Sequence, residues 1–257
     1  MAERIWDKYL TERDKAVFDA GGFGACAGYG KRPALLVIDV NYNFCGHKPE
    51  PILESVKQWP TSCGEEAWAG VAVIRKVLER ARAKGLPVIY TLPGPMRDDG
   101  WDMGSWAWKN VRVDENLAPR KRVANVDGNA IVAEIAPGPT DIQLYKRKPS
   151  GFFGTDLVGL LTQLGCDSVL VTGTTTSGCV RATVVDAFSH NYRVAMIEDG
   201  CFDRSQASHA ITLCDMHAKY ADVVPSAEAL AYIDSLASGM FQLPPGAAAP
   251  RKLSAAA

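Results

Sequence analysis

Short, continuous apolar runs separated by longer stretches of helical spacing constrain this chain more than any other feature. ALLVI, PVIY, SVLV and VAMI show no polar alternation, which suits parallel strands covered on both faces. Strands are expected at 34–39, 87–92, 141–146, 168–172, 193–197 and 222–224. Between the first two, Ala67, Val71, Ile74, Val77, Leu78 and Ala81 recur near i, i+3, i+4 spacing and the pattern stops at Gly85, predicting a helix over 65–84. Further helices are expected at 155–164, 178–190, 206–220 and 227–236. With right-handed crossovers these units build an α/β fold, a single doubly wound six-stranded parallel sheet with helices on both faces.

Two stretches lie outside this rhythm. Residues 1–30 hold a short amphipathic helix and a Gly-rich connector (GGFGACAGYG), expected to be an arm packing on the domain or on a neighbouring subunit. The main domain then spans 31–238, and the Pro/Ala-rich stretch 239–257 is expected to be disordered. Residues 94–119 are rich in Trp, Asp and Gly and long for a connector. There Trp101, Trp106 and Trp108 either wall a pocket or bury at a subunit contact.

Charge excludes some partners. Lys+Arg of 28 against Asp+Glu of 29 leaves a formal charge of -1, so no electrostatic excess favours nucleic acid or a membrane surface. No apolar run reaches the roughly 18 residues of a membrane span, and MAERIWDKYLTERDK lacks the apolar centre of a secretory signal. A cytoplasmic protein is the simplest expectation. The 7 cysteines are odd in number and form no CxxC pair, which argues against a disulfide framework or a structural zinc site.

Several motifs nearly match. Gly22-Phe-Gly-Ala-Cys-Ala27 has dinucleotide-loop spacing but precedes the first strand instead of following one. Gly173-Thr-Thr-Thr-Ser-Gly178 sits between strand and helix, yet Cys179 and Val180 stand where a phosphate loop needs Lys and Ser/Thr. A cysteine phosphatase needs Arg six positions after Cys179, and that residue is Val185. The 4 histidines form no HxH or HExxH pair, so no metal site or other cofactor is expected.

What remains are three features at the C-terminal ends of expected strands, the edge where open α/β sheets place their ligands. Asp39 follows ALLVI, Lys146 follows DIQLY, and Cys179 follows SVLVTGTTTSG at the start of an expected helix, where free N–H groups favour a thiolate. A carboxylate and an ammonium beside a thiol can take its proton and hold the resulting charges, and N–H groups of the 174–179 turn would face a developing oxyanion. Acyl transfer to sulfur is the chemistry implied. The plainer readings are a helix-capping Asp39, a Cys179 that only fills space, and a solvated basic turn at Lys146, Arg147 and Lys148. Pattern alone does not choose among the three basic residues.

ALLVIDV (34–40), YKRKPSGFFGTDL (145–157) and VTGTTTSGCVRATVVDAF (171–188) resemble the isochorismatase-like cysteine hydrolase superfamily, and within it the N-carbamoylsarcosine amidohydrolase branch. The likeness covers about 30–236 and implies a triad of Asp39, Lys146 and Cys179. Lys146 is chosen over Lys148 because it lies four residues before Ser150 of the S-G-F block. It further implies a cis peptide at Thr174–Thr175 that aims the Thr175 and Cys179 N–H groups at the oxyanion. Phe202-Asp203-Arg204 matches the block whose arginine holds a substrate carboxylate; the plainer role for Arg204 is an ion pair with Asp203 or Glu198. Thr174, Phe44, Trp106 and Trp108 complete the expected substrate contacts.

The resemblance also discriminates within the superfamily. Nicotinamidases carry an Asp-x-His metal set downstream of the first triad residue, whereas no histidine stands between His47 and His190. Isochorismatases proper lack the cysteine, so Cys179 argues against vinyl-ether hydrolysis. The expected activity is therefore release of ammonia from a small carboxylate-bearing N-carbamoyl compound or amide, by a homodimer or homotetramer without cofactor. Maleamate-type monoamides are the alternative substrates. An acyltransferase, or a non-catalytic assembly protein on the same fold, are the competing classes.

Overall fold

Strand β1 (Pro33–Ile38) is buried along its whole length, and its side chains divide between two cores. Leu35 and Val37 point into one cluster, while Ala34, Leu36 and Ile38 point into another. The period of two along a strand thus explains why ALLVI reads as an unbroken apolar run. The computed structural model describes residues 4–95, 97–101, 104, 105, 109 and 126–243.

After α1 (Glu12–Gly21) and β1, two short helices, α2 (Tyr42–Cys45) and α3 (Ile52–Ser55), lead to α4 (Glu65–Lys84). The chain continues through β2 (Val88–Pro93), β3 (Ile142–Lys146), α5 (Leu157–Gln163) and β4 (Ser168–Thr174). A π-helical turn (Thr176–Val180) then precedes α6 (Arg181–Ser189), β5 (Arg193–Phe202), α7 (Gln206–Lys219), β6 (Asp222–Val224) and α8 (Ser226–Ser235). Six strands among the described residues form one sheet in the order β3-β2-β1-β4-β5-β6, every pair parallel. This is a doubly wound α/β sheet. Its strand order reverses between β1 and β4, which opens a crevice at their C-terminal ends.

Helix α4 begins with Glu65 and Glu66, ends with Arg82 and Lys84, and stops at Gly85 with φ +70°. Those charges oppose the helix dipole, and glycine takes the left-handed position at no steric cost. Its stripe of Val71, Ile74, Val77 and Leu78 is buried with Ile233 of α8 against one face of the sheet; each such side chain contributes roughly 1.5–3 kcal/mol. Leu157 and Leu161 of α5, Val184 of α6 and Leu213 of α7 cover the other face.

The N-terminal arm packs on its own domain. Trp6 is buried beside His217, the Arg4 guanidinium donates to the Val223 carbonyl at 2.7 Å, and the N–H groups of Ala27 and Gly28 donate to Asp222. These contacts cover β6, an edge strand whose open ladder would otherwise template pairing with another chain. At the other end Phe241, within the stretch expected to be disordered, is buried against the core with Arg32 over its ring. No helix among the described residues is long and apolar enough to cross a membrane.

Candidate active site

The crevice at the strand reversal collects all three strand-end residues. Asp39 directly follows β1 and takes φ +52°, a left-handed conformation that aspartate tolerates better than most residues. This turn ends the strand and places the carboxylate at the sheet edge. Lys146 is the last residue of β3, two strands away, and its long stem spans the end of β2. Its Nζ lies 2.8 Å from Asp39 Oδ2 and 3.4 Å from Cys179 Sγ, and donates to the Lys148 carbonyl at 3.2 Å. Strand alternation explains why this lysine reaches the crevice: Leu144 and Lys146 are buried, whereas Tyr145 between them is exposed; Arg147, just beyond the strand, is exposed as well.

Cys179 lies in the π-helical turn, held on both sides. Ser177 donates its N–H and its hydroxyl to Asp203 Oδ2, each at 2.7 Å, and the Thr176 hydroxyl pairs with His209 Nδ1 at 2.8 Å. Behind the sulfur, the Cys179 carbonyl accepts from the Thr183 hydroxyl, which itself accepts from the Gly151 N–H. The peptide between Thr174 and Thr175 is cis. Gly173, at φ +106°, permits the approach of β4 to β1: a Cβ there would sit 2.2 Å from the Ile38 carbonyl oxygen.

Charge states follow from burial. Asp39, Lys146 and Cys179 are 3%, 8% and 8% exposed. Burial alone would lower the Lys146 pKa, but the charge of Asp39 and the neighbouring Cys179 outweigh it and the net direction is up, so the ammonium persists. Burial, reinforced by Asp39 and opposed by Lys146, pushes the Cys179 thiol up to about 12. This corrects the expectation of a helix-stabilised thiolate. The α-helix begins only at Arg181, and desolvation of the sulfur dominates, so the resting group is a thiol beside an ion pair.

Of the remaining expected residues, Thr175 is buried at the start of the nucleophile turn. Thr174 is fully buried and turns its hydroxyl to Cys63 Sγ at 3.6 Å. Phe44 is half-buried on α2, its N–H capped by Asn41. Arg204 is exposed at the end of β5 and donates to the Thr61 carbonyl at 2.9 Å; among the described residues it forms no ion pair with Asp203 or Glu198. Asp203 instead serves the Ser177 turn, and Glu198 pairs with Arg4 at 3.4 Å. Trp106 and Trp108 lie outside the described residues. No group of three or more His, Cys, Asp or Glu among the described residues is arranged to hold a metal ion.

Sequence reasoning missed Thr91, whose hydroxyl donates to Asp39 Oδ1 at 2.6 Å, and the anchors Asp203, Thr183 and His209. The available signal for Thr91 was a hydroxyl near the end of an apolar run adjacent to β1. Its use depends on the pairing register, Ile38 opposite Thr91.

The isochorismatase domain pattern matches residues 33–228. The chain belongs to the isochorismatase family. Among its relatives is an N-carbamoylsarcosine amidase from Arthrobacter sp, 32% identical over 88% of this chain and 80% of the relative. A maleamate amidohydrolase from Pseudomonas putida is 31% identical over 84% of this chain and 94% of its own length. The isochorismatase fold is also shared with the crystal structure of a cysteine hydrolase from Pseudomonas syringae pv. phaseolicola. That structure has a TM-score of 0.67 and 26% identity, over 79% of this chain and 93% of that one.

Proposed function

We propose that this member of the isochorismatase family, a hydrolase of linear carbon–nitrogen amide bonds, works through a covalent bond to Cys179. The observation that carries this reading is the contiguous Asp39–Lys146–Cys179 cluster, with the lysine 2.8 Å from the carboxylate and 3.4 Å from the sulfur. Asp39 takes the thiol proton as sulfur attacks the amide or carbamoyl carbon, and Lys146 balances the charge that passes between them. The N–H groups of Thr175 and Cys179 stabilise the oxyanion. The C–N bond then breaks, and the nitrogen leaves as ammonia with the proton from Asp39. Water gives a proton to Asp39 and attacks the thioester or thiocarbamate; the C–S bond breaks and the proton returns to sulfur.

The substrate class we favour is a small N-carbamoyl amino acid whose carboxylate is gripped by Arg204. Arg204 is exposed at the crevice end of β5, immediately after the Asp203 that holds the nucleophile turn. Phe44, half-buried on α2, would line the pocket beside it, in a homodimer or homotetramer. A maleamate-like monoamide is the second reading, favoured by the Pseudomonas putida relative, which matches over nearly its whole length.

The test is ammonia release from N-carbamoyl amino acids, maleamate, ureido acids and nicotinamide, with chelator present, by wild type and Cys179→Ala. Release that requires Cys179 and a substrate carboxylate is expected. Equal release by a folded Cys179→Ala protein sinks the mechanism. Silence across the panel, with Cys179 inert to iodoacetamide, favours the assembly role. Product capture by an added amine instead of water would mark an acyltransferase.

A further inference from the structure

The hydroxyl of Thr91 is fully committed to one residue. It donates to Asp39 Oδ1 at 2.6 Å and accepts the Asp39 backbone N–H at 3.1 Å. Both residues are buried, Thr91 at 2% exposure. Parallel pairing of β1 with β2 places Ile38 opposite Thr91, so the hydroxyl takes over the next N–H where the chain turns out of β1. The accepted N–H occupies a lone pair of the oxygen and leaves its own proton directed at the carboxylate. Oδ2 remains for Lys146 at 2.8 Å.

We infer that Thr91 is a positioning residue that divides the labour of the Asp39 carboxylate, tying down Oδ1 so that Oδ2 alone is presented to Lys146 and to the thiol proton of Cys179. This deepens the proposed mechanism and rests on it for its catalytic consequence. A hydrogen bond donated to a carboxylate stabilises the ionised form. The other titratable groups facing Asp39 are Lys146 from the end of β3 and Cys179 from the turn after β4. The proton step is simple in balance: the S–H bond breaks, an O–H bond forms at Oδ2, and the proton later leaves on the departing nitrogen.

Thr91→Val keeps the branched shape and removes the hydroxyl, whereas Thr91→Ser restores it. Two readouts are compared for each: kcat and KM for ammonia release from N-carbamoylsarcosine, and the rate of iodoacetamide alkylation at Cys179 followed on its own peptide by mass spectrometry. In Thr91→Val kcat is expected about 10- to 100-fold lower with KM within about 3-fold, and alkylation of Cys179 is expected to slow as well, because the carboxylate that takes the thiol proton is no longer held in place. Thr91→Ser is expected to return both rates toward wild type. If Thr91→Val fails to fold, Thr91→Cys keeps the volume with a weak donor and should lower both rates by less.

A residue that merely packs would change stability and leave kcat and the alkylation rate in place. Folded Thr91→Val with wild-type kcat and alkylation rate overturns the inference, as does Thr91→Ser without rescue. Should wild type release no ammonia while alkylation of Cys179 still slows in Thr91→Val, the proposed reaction fails and the Thr91–Asp39 arrangement stands.

Discussion

Replacing Lys146 by Met removes the ammonium, keeps most of the stem and leaves the Asp39 carboxylate buried beside a thiol. At 2.8 Å the direct attraction of the pair is about 6 kcal/mol in an effective dielectric of roughly 20, part of which is offset by desolvation. Removing one partner of a buried pair typically costs about 3–5 kcal/mol, because the other charge is left without compensation. A ceiling comes from proton uptake. Neutralising an aspartate at about pH 7.5 costs about 5 kcal/mol relative to an ordinary carboxyl near 3.9. Once that ceiling applies, the folded variant holds a proton that the unfolded chain releases, so its stability falls as pH rises, by about 1.4 kcal/mol per unit.

The expected loss is therefore about 3–5 kcal/mol near pH 7.5 and no more than about 2 kcal/mol near pH 5.5. Urea unfolding followed by circular dichroism at both pH values measures it. The double variant Asp39→Asn/Lys146→Met should recover more than half of the loss, since no charge remains to strand. Wild-type stability in Lys146→Met at pH 7.5, or a loss that grows toward pH 5.5, would refute the reasoning.

Other outcomes follow from the same structure. Burial pushes the thiols of Cys63, Cys166 and Cys179 up to about 12, and the unfolded chain loses those protons from about 9, so stability should decline as pH rises from 9 toward 12. Burial holds His209 and His217 below the ordinary 6.5, so the unfolded chain binds protons first as pH falls through that value and stability should decline on the acid side as well. A urea midpoint that rises between pH 9 and 10.5 contradicts the first half. Gly173→Ala drives a Cβ to 2.2 Å from the Ile38 carbonyl oxygen at a positive φ, and a loss of at least about 2 kcal/mol is expected by thermal unfolding. Arg204→Gln should raise KM for N-carbamoyl amino acids at least about 10-fold with a smaller effect on kcat; an unchanged KM would remove Arg204 from the substrate pocket.

The fold was legible where one-dimensional spacing carries the physics. The stripe from Ala67 to Ala81, closed by Gly85, specifies Glu65–Lys84 to the residue, because the apolar period and the terminator act along one helix. β5 was read only to 197, since Glu198, Asp199 and Gly200 interrupt the apolar run. In the structure the strand continues to Phe202, because after a register shift Gly173 and Thr174 pair with Cys201 and Phe202. That pairing lies in β4, and no local pattern in β5 announces it. The nucleophile helix was expected from 178 but starts at Arg181, after a turn whose Gly178 is non-helical. Asp203 and His209 anchor that turn from downstream elements.

By itself, the sequence determined the alternation of strands and helices, the burial of the sheet on both faces, and the placing of Asp39, Lys146 and Cys179 at strand ends, because the hydrophobic period is a property of neighbouring residues. Tertiary structure alone decided what those residues are to one another. The order β3-β2-β1-β4-β5-β6 puts the reversal between β1 and β4, alternation along β3 buries Lys146 and exposes Tyr145, and the β1–β2 register delivers Thr91 to Asp39. Burial then sets the charges, holding the sulfur as a thiol beside an ion pair. Distances across a sheet and desolvation depend on residues far apart in the chain, which is why they emerge only once it is folded.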